Sequence, residues 1–315
     1  MKARFVIVTI LLAALQCGQT AWGQGAKMAG NEKFPFLPQE ELIYEGEFSK
    51  LVLRNINIAE FRFVSQRAPS SCAGNELASL DALTTPLRSV CAASEPPLLF
   101  TGEAHAVGWF HRLFGIDFQY KLESRVEASS FNVIETKKYD QQGSRVRVGC
   151  ATFDRNNGRL TWTEHDPRDP TRAPNVVTNR MGGAPLYDLL TAIYYLRTKR
   201  FVPGEQLTLV ISDAGRTYNV PVRALEIKRL KTVLGEVETV HLDVGLFGPT
   251  GLVQRNGHMS LWITTDGRHL PVRAEMSSDL GTLTIKLKRI SHNAGPTAGT
   301  EPPSAIKCGA QPASP

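Results

Sequence analysis

Apolar and polar residues alternate along most of this chain, and a period of two predicts strands with one buried face. Between Glu41 and Val64, Leu42 and Tyr44 alternate with Ile43 and Glu45, then Phe61 and Phe63 with Glu60 and Arg62. The pattern resumes near Thr101 and is clear at Phe118, Tyr120 and Leu122. Val146 and Val148 alternate with Arg145 and Arg147, Leu160 and Trp162 with Thr161 and Thr163, and Val240, Leu242 and Val244 with His241 and Asp243. Leu270, Val272, Ala274 and Met276 share one face, as do Leu283, Ile285 and Leu287. Gln142-Gly143, Asn157-Gly158, Asn256-Gly257 and Asp266-Gly267 lie between such runs. Asn-Gly and Asp-Gly suit tight hairpins because both residues tolerate positive φ. Strands joined this way form an antiparallel meander of roughly ten strands.

One segment has a helical period. Leu189 to Arg200 carries apolar residues at 189, 190, 193, 194 and 196, with Asp188 as N-cap, basic residues in the last turn and Pro203-Gly204 as the stop. One helix covers only part of so wide a sheet. The expected fold is therefore mainly β: an antiparallel meander sheet curled, half-barrel-like, around one central helix. Such a shape leaves an apolar concavity for a ligand.

The ends read differently. Lys2 and Arg4 precede an apolar run from Phe5 to Leu15, and Ala21 and Gly23 supply the small residues of a cleavage site before Gln24. That is the layout of a signal peptide over residues 1–23, with an apolar run too short to span a bilayer. Cys17 follows Ala14-Leu15-Gln16, and Gln is too large for the small-residue pocket of a lipoprotein signal. The expected product is exported, periplasmic or secreted, with no transmembrane segment after cleavage. Residues 24–33 form a flexible leader, 34–290 one β-rich domain with a Pro-rich loop or insert at 67–98, and 291–315 a disordered Pro/Ala-rich tail. Glu76 to Leu83 fits a short helix inside the insert.

Composition narrows the partners. The chain has 315 residues, 42% of them hydrophobic, and a formal charge of +6. Losing Lys2 and Arg4 leaves about +4, spread out. The Lys228–Lys231 and Lys286–Arg289 clusters lack interleaved aromatics, so they read as solvated faces and not as nucleic-acid surfaces. Cys72, Cys91, Cys150 and Cys308 survive cleavage, and four thiols allow three pairings. A Cys72–Cys91 disulfide would staple the Ala-, Ser- and Pro-rich insert, leaving Cys150 with Cys308.

Three stretches resemble a known family. These are Phe34-Pro35-Phe36-Leu37-Pro38-Gln39-Glu40-Glu41-Leu42-Ile43-Tyr44, the helix from Asp188 to Arg197, and the run from Leu261 through Trp262, Asp266 and Leu270-Pro271 to Arg273. Together they are similar to the bacterial exported family called domain of unknown function 3108, over roughly residues 34–290. The resemblance implies an exported, β-rich protein and brings no catalytic residues.

Catalytic chemistry has little foothold. There is no Gly-x-Ser-x-Gly elbow and no phosphate-cradling loop, and Ser304 and Lys307 have Ser-x-x-Lys spacing only inside the tail. His105 and His111 near Asp117 are the one candidate pair for a metal, and no third ligand has diagnostic spacing. His241, His258 and His269 fall on solvent faces or beside turns. Asp266 reads as a turn residue and not a catalytic acid. No cofactor is expected. The first reading is a non-enzymatic binding module for an apolar small molecule or lipid, or for an envelope protein, with a ligand groove drawn from Phe61, Phe63, Trp109, Phe110 and Trp162. Rivals are a hydrolase of an envelope polymer with paired carboxylates, and an assembly scaffold that pairs through an exposed strand edge.

Overall fold

The computed structural model describes residues 34–36, 39–68, 95–108 and 117–292. The signal at 1–23, the leader, Cys72 and Cys91, the Glu76–Leu83 helix, Trp109, Phe110, His111 and Cys308 lie outside them. Cys150 is disulfide-bonded, and every other cysteine of the chain also lies outside the described residues.

The chain is mainly β and forms one large sheet that is not closed. In order the elements are β1 (Glu40–Lys50), β2 (Leu53–Arg67), β3 (Leu98–Ala106), β4 (Phe118–Val126), β5 (Val133–Gln142), β6 (Arg145–Asp154), β7 (Arg159–His165), β8 (Asn175–Arg180) and β9 (Leu186–Tyr187). Then come α1 (Leu189–Arg197), β10 (Gln206–Asp213), β11 (Arg216–Thr232), β12 (Gly235–Val244), β13 (Gly257–Thr264), β14 (Pro271–Ser278) and β15 (Gly281–His292). The strand order is β8-β7-β6-β5-β4-β3-β2-β1-β15-β14-β13-β12-β11-β10-β9. Two meanders run outward from a central β1–β15 pair, where Leu42 faces Ile290 and Phe48 faces Leu283. Every pairing is antiparallel except β9–β10, which α1 joins as a crossover and which is parallel for that reason.

Side chains connect the two meanders where the hydrogen-bonded ladder does not. Lys138 of β5 reaches Asp213 of β10 at 3.2 Å. Thr136 Oγ1 donates to Asp188 Oδ2 at 2.7 Å, and Asn179 of β8 donates to the Gly215 carbonyl at 2.6 Å. α1 packs on β3, β4, β9 and β10. The helix thus touches both the mid-order strands β3 and β4 and the end strands β9 and β10.

α1 begins as the sequence predicts. Asp188 accepts from the Thr191 amide at 2.8 Å while Thr191 Oγ1 accepts from the Asp188 amide at 2.9 Å, a reciprocal capping box. It ends at Arg197, short of the expected Arg200. The reason is local. Thr198 Oγ1 takes the Tyr195 carbonyl at 2.7 Å, and His269 Nδ1 sits 2.8 Å from the Arg197 carbonyl. These side chains cap the helix from outside it. Almost the whole helix is buried; Tyr195 alone is half-buried. Tyr194 stacks on Phe100 at 4.0 Å and meets Phe36 edge-on at 5.1 Å.

Among the described residues, fifteen strands replace the expected ten because several turns carry no Asn-Gly or Asp-Gly signal. The β1–β2 turn is Leu51-Val52, with Leu51 at φ 52°, and the β10–β11 turn is Ala214-Gly215, both at positive φ. Asn256-Gly257 ends a long loop and does not form a tight hairpin. At Asp266-Gly267 the positive φ falls on His269, at 42°. β15 continues through Ser291 and His292, which pair with Glu41 and Glu40 and so belong to the sheet and not to the tail.

Candidate functional site

The groove residues that can be placed share one device. Phe61, Phe63 and Trp162 are all buried, and each ring lies over a glycine of a neighbouring strand. Phe61 covers Gly46 of β1, Phe63 covers Gly102 of β3, and Trp162 covers Gly149 of β6, where added Cβ atoms would crowd or overlap the rings. The glycines let large rings lie flat on the inner face. The space left beside them is small. A cavity of about 20 Å³ lies among Tyr120, Lys138, Trp162, Asp188 and Asp213, room for one water. Lys138 sits 5.4 Å from the Tyr120 ring centre and 5.8 Å from that of Trp162. Burial alone would lower the Lys138 pKa; the Asp213 carboxylate outweighs it and holds it above the ordinary lysine value. Burial pushes the Tyr120 phenol up. This is a neutralised interior pair, not a free base.

A second cluster occupies the outer face of β11, β12 and β13. His241 Nε2 and His258 Nε2 lie 3.0 and 2.9 Å from Ser260 Oγ. His258 Nδ1 faces Asp243 Oδ1 at 3.3 Å, and His241 Nδ1 faces Glu226 Oε1 at 3.7 Å. His241 is not simply solvated: it stacks on Trp262 at 4.6 Å, with the Arg273 guanidinium 5.2 Å from the same indole. Burial lowers the His241 pKa, partly offset by Glu226. The Asp243–His258–Ser260 spacing is that of an activated nucleophile. Acyl transfer also needs donors for an oxyanion, and β13 is an interior strand whose ladder engages both neighbours. The sequence carries the alternation His258-x-Ser260-x-Trp262 and His241-x-Asp243, but a long loop separates the strands and hides their register.

The third feature is an edge. β8 pairs only with β7, and its residues are exposed except for Val177, which is half-buried. The Met181 amide bonds to the Gly158 carbonyl. The antiparallel alternation then turns the main-chain groups of Val176, Thr178 and Arg180 away from β7. His105, of the candidate metal pair, is on β3, 4.0 Å from Glu60. Among the described residues no three His, Cys, Asp or Glu side chains form a metal cluster, and no helix is long and apolar enough to cross a membrane.

These features define a class: a mainly β protein of one large open sheet carrying, among the described residues, one short, buried helix. Within it, the chain belongs to the family of proteins of unknown function termed DUF3108, whose model matches residues 92–288. The match includes α1 and the Trp262–Leu270 run and leaves out the opening at Phe34–Tyr44. No curated protein matches the chain. Among solved structures it is similar to a beta-barrel-like protein of domain of unknown function 1849 from Brucella abortus, at 9% identity and TM-score 0.46, covering 81% of this chain and 98% of that one. It is also similar to a candidate exported protein with a YmcC-like fold from Bacteroides fragilis, at 8% identity and TM-score 0.32, covering 82% and 98%. A candidate lipoprotein from Parabacteroides distasonis follows at 9% identity and TM-score 0.28, covering 82% and 98%.

Proposed function

We propose that this is an exported, non-enzymatic binding module that takes an extended segment of a partner protein onto the free edge of β8. The observation that carries the reading is that edge. It is six residues long, unpaired on one side among the described residues, and presents Val176 at 55% exposure. Strand addition draws its affinity from main-chain hydrogen bonds and its selectivity from alternate side chains. The usual edge guards are sparse: β8 has no bulge against β7 and Arg180 is its one charge.

Two rivals have less support. Small-molecule pockets run to several hundred Å³, and the interior space beside Trp162 is about 20 Å³. A hydrolase of an envelope polymer needs facing carboxylates in a cleft. An open depression of about 580 Å³ between the β1–β2 and β14–β15 turns has Asp279 as its one acidic residue, and Arg255 holds it at 2.9 Å.

The signal-like residues 1–23 support export, to the periplasm or beyond. A Cys72–Cys91 disulfide fits that oxidising setting. The Lys138–Asp213 and Asn179–Gly215 contacts support a sheet curled around α1.

The test is a photo-crosslinker placed at Thr178 in producing cells, with and without Val176→Pro. Val176 points its N–H away from β7, so proline there blocks addition and leaves the β7–β8 ladder intact. An adduct that Val176→Pro abolishes is expected. Absence of any adduct, or one indifferent to Val176→Pro, overturns the reading.

A further inference from the structure

We propose that the outer face of β12 and β13 carries a binding site for a divalent transition-metal cation, with His241 Nε2 and His258 Nε2 as its nitrogen ligands. Both atoms converge on one point: they lie 3.0 and 2.9 Å from Ser260 Oγ. With the Nδ1–H of each neutral ring directed at its carboxylate, both Nε2 atoms are acceptors, and a serine hydroxyl, with one hydrogen, donates to only one of them. A cation accepts both lone pairs. With metal–nitrogen bonds of about 2.0–2.1 Å, it would sit between the two rings beside Oγ.

The backs of the rings are arranged for the same purpose. His258 Nδ1 faces Asp243 and His241 Nδ1 faces Glu226, the outer-shell carboxylate pattern that fixes the tautomer and aims Nε2 at a metal. Trp262 stacks on His241 with planes 11° apart and holds that ring still. Glu226 and Asp243 supply negative charge, and Glu275 sits opposite Ser260 in the β13–β14 register. Three cations stand nearby: Arg273 contacts Glu275 at 2.7 Å, Lys228 lies 3.9 Å from Glu226, and Arg223 stands opposite Asp243 in the β11–β12 register. Ser260 Oγ and solvent complete an open coordination sphere around a cation of the kind imidazole suits. His258 is largely exposed, so the ion has a way in.

Zinc chloride titrated calorimetrically into the untagged exported chain at neutral pH tests this, with ring-nitrogen NMR reporting which histidines respond. The expected result is saturable one-to-one binding with shifts at the His241 and His258 rings. His258→Ala, on an exposed side chain, weakens binding at least about tenfold, and Asp243→Asn weakens it by about tenfold through the lost outer-shell bond. Ser260→Ala, which leaves both nitrogens in place, still binds. No saturable binding by the parent overturns the site. So does zinc affinity that His258→Ala leaves unchanged while the melting curve matches the parent.

Discussion

Arg197, in the last turn of α1, grips Glu40 at the start of β1 with both guanidinium nitrogens, at 2.5 and 3.0 Å. Both side chains are almost wholly buried, at 1% and 5% exposure. The guanidinium also stacks near Phe36 and Tyr194, 5.3 and 5.4 Å from their ring centres. Burial alone would weaken the Arg197 charge; the Glu40 carboxylate more than offsets it. The pair ties the helix end to the sheet's central strand pair, far from its N-cap tie to β5.

That pair should couple strongly. Glu40→Gln removes a charge from a buried partner and should cost about 3–5 kcal/mol. Replacing both, as Glu40→Leu with Arg197→Met, should cost clearly less than the two single changes added. Urea unfolding of the three variants reads the coupling, and additive costs would show that the two residues act independently.

The helix should tolerate charge at its exposed end only. Ile193 is buried within the main apolar cluster, so Ile193→Asp should cost several kcal/mol, by desolvation or by a raised pKa. Lys199 lies past the helix, 4.4 Å over the Tyr195 ring, and Lys199→Asp should cost about 1 kcal/mol or less. Thermal melts compare them. An Ile193→Asp variant that melts with the parent would place the helix at the surface.

Acid should loosen the central strands through Glu41. Burial would raise this carboxyl, but the Ser291 hydroxyl and Arg62, at 2.6 Å, outweigh it and hold the carboxyl below the ordinary glutamate range. A lowered folded-state pKa means the stabilisation is complete above about pH 4.3 and is lost as pH falls through the folded value. Urea midpoints at pH 6 and pH 3 should therefore fall further for the parent than for Glu41→Gln. Equal falls would rule out this carboxylate as the source.

Gly149 should reject a methyl group. Its Cβ would overlap the Trp162 ring, so Gly149→Ala should cost about 1–3 kcal/mol as overpacking and shift tryptophan emission as the indole moves. Trp162→Phe in the same chain should recover part of that loss. A Gly149→Ala protein with parental stability and emission would mean the ring has room that the packing denies.

How much of this was legible in the chain follows from the range of each interaction. Strand faces, the Asp188 cap and the apolar helix face are set by neighbours within a few residues, so a period of two or 3.6 carries them. Turns such as Leu51-Val52 escaped because their positive φ is imposed by the paired strands and not by glycine or asparagine. His269 reads as an exposed turn residue and Thr198 as part of the helix, yet together they stop α1 at Arg197. Arg197 reads only as a basic residue of the last helical turn, and the fold buries it against Glu40, 157 positions away in sequence. The histidine–serine cluster and the free edge of β8 are equally non-local: both depend on which strands become neighbours and in what register. The sequence by itself determined the class, the faces and the family, because those are written in local periodicity. Tertiary structure alone decided which polar side chains meet, because that depends on long-range strand pairing and the loops that permit it.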